Sequence, residues 1–443
     1  MNKQSLSIAM AYVGVLVGAG LSSGQDIMQY FLSFGSIGLL GVVLLGALNI
    51  VFGRIIITLG CHYQSESHHE VLAQITHPII HRIIDFTLIC SCFVVGFVMV
   101  AGAGANLEQQ FGLPAWLGAL ICSGLVIAIS FLDFGKITQV LGIFTPLIMA
   151  MILAVTAYTF MTRSIDVAAM DRAVIGIEPV MSNVWLSVIN YYALCAMNGV
   201  SMAFVLGGSV VRIGDAEKGG ILGGTMIGLI IICAALTLFM YLDEVKYADI
   251  PMLMIVNNIH PLLGYFYAVV IFALIFNTAF SLYYATARRL AAGDERKLRF
   301  LLVGLVAIGY VCSFGGFTTL VSYMYPVLGY MGILLLIVLA VAWWNERESI
   351  LLEKLLRRKM IRLMLRKYDE DADYTAKHKE TFQKLGELSV ADTDNLKKDI
   401  KSYAKEVAEK HDDLIAYAER NLPVDNDRLK ELVNKEEKEE GGK

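Results

Sequence analysis

The chain has 443 residues, of which 56% are hydrophobic and 17% charged, with a formal net charge of −4. Soluble domains run at about 45–50% apolar and about 25% charged, so these figures disfavour an ordinary soluble enzyme and exclude a disordered or collagen-like chain. The charge is also divided: residues 1–344 hold 14 Lys/Arg and 16 Asp/Glu, residues 345–443 hold 22 and 24. Neither part has the basic excess of a nucleic-acid-binding surface.

A bilayer core takes about 20 mostly apolar residues per helix. Ten such stretches follow in chain order, at about 6–33, 37–60, 80–107, 114–132, 137–161, 184–210, 219–242, 260–287, 298–315 and 318–344. The first is expected to be a span rather than a cleaved leader, because its apolar run passes any small-residue cleavage site and nine more follow. With the N-terminus inside, Lys3, Arg54, Arg82, Lys136, Arg212, Lys218, Arg288, Arg289, Arg296, Lys297 and Arg299 lie in inner loops or adjoining helix ends. Only Arg163, Arg172 and Lys246 lie outside. That bias predicts a multi-pass protein of the cell (inner) membrane with both termini cytoplasmic. All seven cysteines fall in the apolar part and read as small hydrophobic filler.

Spans one to five repeat in spans six to ten at an offset of about 180 residues, and an odd number per half inverts the second half. Span one reads AYVGVLVGAGLSSGQDIMQYF, with Gly18, Ala19, Gly20, Ser22, Ser23 and Gly24 in its interior. Interior glycines weaken a helix by about 1 kcal/mol each, and serines offer competing backbone bonds. Span six, which contains NYYALCAMNGVS, places Tyr191, Asn198, Gly199 and Ser201 in the matching region, with Asn-Gly as a turn signal. Breaks in both would expose backbone groups for a small-molecule substrate and an ion near mid-membrane. Close packing of small residues is the competing reading. Asp26 follows the first break, as a cavity carboxylate or as a residue of the outer rim.

In span eight, Asn277, Thr278 and Ser281 form a polar stripe, either hard ligands for a cation or hydroxyls bonded to their own helix. Arg54 and Asp85 lie at equal depth near the cytoplasm and suggest a gate pair or a static pair. The loop CHYQSESHHEVLAQITHPIIH holds His62, His68, His69, His77 and His81. If it is helical, His62, Glu66, His69 and Glu70 share a face that would suit a zinc or pH-sensing cluster, yet no spacing matches a known metal motif, so the segment reads as a polar loop and no metal is assigned.

Beyond span ten, residues 345–368 read as an amphipathic juxtamembrane helix, on the inner membrane surface or continuing the span. Residues 369–443 show charged helical patterns at 371–387, 394–421 and 425–438. They suggest a small bundle or an arm for a cytoplasmic protein partner, with KEEKEEGGK as a disordered end. No nucleotide or nucleophile motif appears, so neither a catalytic residue nor a bound cofactor is expected.

The segments GAGLSSGQDIMQYF, AGAGANLEQQFGLPAWLG and YPVLGYMG resemble the YkvI-type bacterial membrane proteins. Those are similar to the amino acid–polyamine–organocation transporters of the LeuT fold. The resemblance covers about residues 5–344. It implies an all-α polytopic protein with a 5+5 inverted repeat of ten helices, broken helices one and six, and alternating access. It also implies a substrate held by spans one, three, six and eight, and a sodium ion between the backbone near Val17–Gly20 and Thr278 or Ser281. The paired adjacent hydroxyls typical of that ion site read Asn277-Thr278 here, so proton coupling through Asp26 or Glu108 stands beside Na⁺. The function expected is secondary transport of an amino acid or related zwitterion or amine. The alternatives are a sensor signalling through the tail and an ion channel.

Overall fold

The computed structural model describes residues 3–64, 68–130, 144–163, 167–291, 294–369, 372–391, 393–411 and 413–440, and among them there are helices but no strands. Glu66, Lys136 and the facing ends of spans four and five fall outside these residues.

The first span is in pieces. α1 (Lys3–Leu16) stops early, Gly18 is extended (φ −106°, ψ −164°), and α2 (Ala19–Ser23) and α3 (Gln25–Tyr30) follow. Gly24 turns the chain between α2 and α3 at φ 79°. A left-handed backbone costs an L side chain about 1–2 kcal/mol, and a Cβ there would stand 2.9 Å from Met252 Cγ. Only glycine fits that turn.

α4 (Ser36–Tyr63) returns, α5 (His68–Ile75) is a connector, and α6 (Pro78–Phe111) crosses again, started by Pro78 in its first turn. α7 (Ala115–Ile129), α8 (Phe144–Thr162) and the short α9 (Val167–Ala173) complete the first half. The second half runs through α10 (Val184–Gly208), α11 (Ile213–Met240), the short α12 (Leu242–Val245) and α13 (Pro251–Ile259), α14 (Pro261–Ala291), α15 (Glu295–Cys312) and α16 (Phe317–Tyr368). Among the described residues, eight helices, α4, α6, α8, α10, α11, α14, α15 and α16, are long and apolar enough to cross a bilayer. The first span, in pieces, and the shorter α7 stand at the other two expected positions. Leu40, Phe86, Leu229, Ile308 and Val311 are each more than half exposed, an apolar outer surface suited to lipid rather than water.

Corresponding spans of the two halves pack on each other: α1 with α10, α4 with α11, α6 with α14. Between α4 and α11 the backbones nearly touch, since a Cβ on Gly228 would lie 2.9 Å from the Gly46 Cα. Small residues permit such contact in a bilayer, where dispersion replaces the hydrophobic drive.

The expected break in span six is not there. α10 is one continuous 25-residue helix. Asn198 serves it rather than ending it: its amide donates to Leu194 O at 3.1 Å, and its Oδ1 accepts from Ser91 Oγ of α6 at 3.2 Å. Gly199 lets Leu16 pack close.

α16 spans 52 residues, about 78 Å at 1.5 Å per residue, so span ten continues into residues 345–368 without interruption. The apolar side of its C-terminal part, including Leu352, Leu356, Met360 and Met364, is buried against α17 (Ala376–Glu387), α18 (Thr393–Ala408), α19 (Leu414–Asn421) and α20 (Asn426–Glu440). The stripe therefore faces a protein core, not the membrane surface. The pattern at 394–421 is split, with Asp413 capping α19 by accepting from Ala416 N at 2.8 Å. The charged end is helical through Glu440, and residues 441–443 lie outside the described set.

Candidate functional site

The broken first span opens into a cavity of about 460 Å³, within the range of small-molecule sites. α10 gives it Tyr191, Leu194, Cys195, Asn198, Gly199 and Met202, and α14 gives it Leu274, Asn277, Thr278, Ser281 and Leu282. Both sets follow the i, i+3, i+4, i+7 spacing of one helix face. An unbroken α10 thus presents its site residues by periodicity. Val17, Gly18, Gly20 and Asp26 come from the first span, and Tyr325 from α16.

Asp26 is 3% exposed. Its Oδ2 accepts from the Tyr191 hydroxyl at 3.1 Å, while Oδ1 is buried with no hydrogen-bond partner. A Cβ on Gly20 would run into Oδ2, so the carboxylate lies directly over the interrupted backbone. This is a cavity carboxylate and not a rim residue. No Lys, Arg or His is among the described residues lining the cavity. A buried carboxylate without a basic neighbour favours a cation, a proton or an ammonium group.

Thr278 faces the break, its Oγ1 lying 3.5 Å from where a Gly18 Cβ would be. That hydroxyl donates to Leu274 O at 2.9 Å, which leaves its lone pairs for a cation. Asn277 Oδ1 is buried without a partner. The two serines of the break point away from the cavity. Ser22 Oγ donates to Gly18 O at 3.0 Å and Ser23 Oγ to Gly20 O at 2.8 Å. They bond to carbonyls of the break, and neither is among the described residues lining the cavity. Ser201 is half-buried and outside the lining, and Ala19 contributes backbone at the start of α2.

Arg54 and Asp85 do not pair with each other. Arg54 forms an ion pair with Glu217 of α11, whereas Asp85 Oδ1 stands 3.4 Å from Arg289 Nη2 of α14. Equal depth brought them together in the sequence reading, but α4 packs on α11 and α6 on α14. Tyr325, Cys195 and Thr145 line the cavity and were not singled out. Tyr325 lay within the YPVLGYMG segment, and Cys195 falls one turn after Tyr191. Glu108 is exposed and lines a separate cavity of about 180 Å³ together with Asp249.

Among the described residues, the lining reaches exposed Met10 and Met202 on the side where α1 begins. On the other side Gln25 Nε2 donates to Thr318 Oγ1 at 3.3 Å, Gln29 Nε2 to Thr318 O at 3.4 Å, and Tyr267 OH to Ser22 O at 3.0 Å. Tyr30 packs on Tyr191 at 5.0 Å above Asp26.

No family model matches the chain. It is 26% identical over 329 residues to the uncharacterized membrane protein YkvI of Bacillus subtilis (strain 168), covering 74% of this chain and 92% of that protein. It is 25% identical over 332 residues to the uncharacterized protein YyaD of the same organism, covering 74% and 93%. Among solved structures, the crystal structure of MhsT in complex with L-phenylalanine superposes with a TM-score of 0.54 at 13% identity, covering 91% of this chain and 98% of that one. The chain is thus a distant homologue of YkvI and YyaD, and the all-helical membrane architecture is the LeuT-like fold.

Proposed function

We propose that the chain is a secondary transporter, moving a small amino acid, related zwitterion or amine by alternating access with Na⁺ or H⁺ as the coupling ion. The observation that carries this reading is the cavity at the interrupted span, bridged at one end by hydrogen bonds and lined, among the described residues, by one buried carboxylate and no basic side chain. Unwound backbone at membrane depth is tolerated where it lines such a cavity. The proximity of Thr278 to Gly18 supports a cation at the break, and the buried carboxylate of Asp26 supports a proton as the alternative ion. MhsT, whose structure holds L-phenylalanine, supports the amino-acid class. The charge bias of the loops supports the cell (inner) membrane, with both termini cytoplasmic.

Solute counterflow in proteoliposomes tests this. Saturable exchange of a small amine or zwitterion is expected, and it should vanish in Gly20→Leu. Non-saturating flux would replace the reading with a channel. One feature favours a sensor as second reading: Arg212, between α10 and α11, donates to Tyr403 OH and Asn421 O of the tail, while Arg357 of α16 donates to His62 O at the end of α4 and to Val211 O after α10. Removing residues 369–443 separates the two. A transporter keeps counterflow, whereas a sensor binds ligand and shows no flux with or without the tail.

A further inference from the structure

The histidine-rich connector after α4 forms a cluster that the transport reading does not use. His69 lies on α5, and His81 and Asp85 lie one turn apart on the first turns of α6, on one face. One ring nitrogen from each histidine and one carboxylate oxygen all fall within 4.8 Å of one another. The two imidazole rings are 4.3 Å apart. His81 Nε2 is buried with no hydrogen-bond partner, and a buried polar atom in that state calls for a ligand.

We propose that His69, His81 and Asp85 form a transition-metal site of the Zn²⁺ class, which fastens α5 to the start of α6. The donor set decides the class, because two imidazoles and a carboxylate suit Zn²⁺, Co²⁺ or Ni²⁺, whereas Mg²⁺ and Ca²⁺ prefer all-oxygen cages. Donors around tetrahedral zinc stand roughly 3.3 Å apart, given bond lengths near 2.0–2.1 Å. Arg289 is the cation facing the cluster, 3.4 Å from Asp85 Oδ1. A carboxylate has a second oxygen for the metal, so Arg289 acts as the outer partner that orients the ligand. His69 is exposed and His81 and Asp85 are half-buried, which leaves the fourth position to water.

The site lies where it bears on motion. α5 packs on α10 and α4 as well as on α6, and an ion between His69 and His81 ties those packed helices to α6.

The test is calorimetric titration of the full-length protein, purified without a histidine tag, with Zn²⁺, Mg²⁺ and Ca²⁺, alongside Co²⁺ absorption spectra. One Zn²⁺ equivalent is expected, with d–d bands of four-coordinate Co²⁺. Affinity should fall more than about 100-fold in His69→Ala and in His81→Ala, since even outer-partner changes cost 10–100-fold. His77→Ala should bind as the parent does. Absence of Zn²⁺ binding, equal binding of Mg²⁺, or unchanged Zn²⁺ affinity in His81→Ala would each overturn the proposal. If His81→Ala proves unstable, the spectrum of His69→Ala decides alone, because that side chain is exposed.

Discussion

Asp26 and Gly20 work as a pair: the glycine leaves the space that the carboxylate fills. A charge-assisted hydrogen bond contributes about 1.5–3 kcal/mol, so Asp26→Asn should weaken binding of an amine about 10- to 100-fold by calorimetry. An unchanged affinity would assign Asp26 to structure. Gly24→Ala meets a positive φ and the Met252 side chain, and should lower stability by about 1–2 kcal/mol from backbone strain alone. Denaturation midpoints equal to the parent's would refute the turn as described. Gly18, Gly20 and Asp26 were legible because glycines and a carboxylate inside an apolar run violate the local rule and need a reason. Ser22 and Ser23 were legible as polar but not by direction, since a hydroxyl one turn from a freed carbonyl bonds to it first.

At the scale of elements, the two interrupted-looking spans part company. Gly18 and Gly24 adopt conformations that end a helix, whereas Asn198 and Gly199 stay helical because an amide can return to Leu194 O and a glycine can admit Leu16. The sequence carries the same small-residue signal for both, and only the neighbour across the interface separates packing from unwinding. The ion pairs of Arg54 and Asp85 were illegible for the same reason: depth can be counted along a chain, but partners depend on which helices touch. In α16, Arg357 is 1% exposed, pairs with Glu353 at 2.6 Å and donates to His62 O at 3.0 Å. Removing one member of a buried pair costs about 3–5 kcal/mol, while replacing both with apolar groups is close to neutral. Glu353 also accepts from Ser389 Oγ of the tail at 2.7 Å, so Arg357→Ala should expose the tail to limited proteolysis, and joining Glu353→Gln, which keeps an acceptor for Ser389, to Arg357→Met should restore much of the protection. Equal cleavage of all variants would show that the tail is held by its apolar core alone.

For the whole molecule, the division into an apolar part and a charged part was plain from composition, but their union was not. A single helix runs through both, and Arg212 reaches Tyr403 OH at 3.1 Å and Asn421 O at 2.8 Å, so the tail is built onto the ends of the spans. The cavity lining reaches exposed Met202, whereas Gln25 is buried where it bonds to Thr318. A cysteine introduced at Met202 should label readily, one at Gln25 should label slowly, and ligand should slow the first. Fast labelling at Gln25 together with protection at Met202 would contradict the described state. The most direct test of the account is ligand-induced thermal stabilisation of the purified protein by amino acids and amines, in sodium and in choline, for the parent and Gly20→Leu. At about 100 times its Kd, a ligand adds about 2.7 kcal/mol to the parent. The account predicts that stabilisation for a small amine or zwitterion in the parent and none in a folded Gly20→Leu. Equal stabilisation of both proteins would contradict a site at the break in the first span.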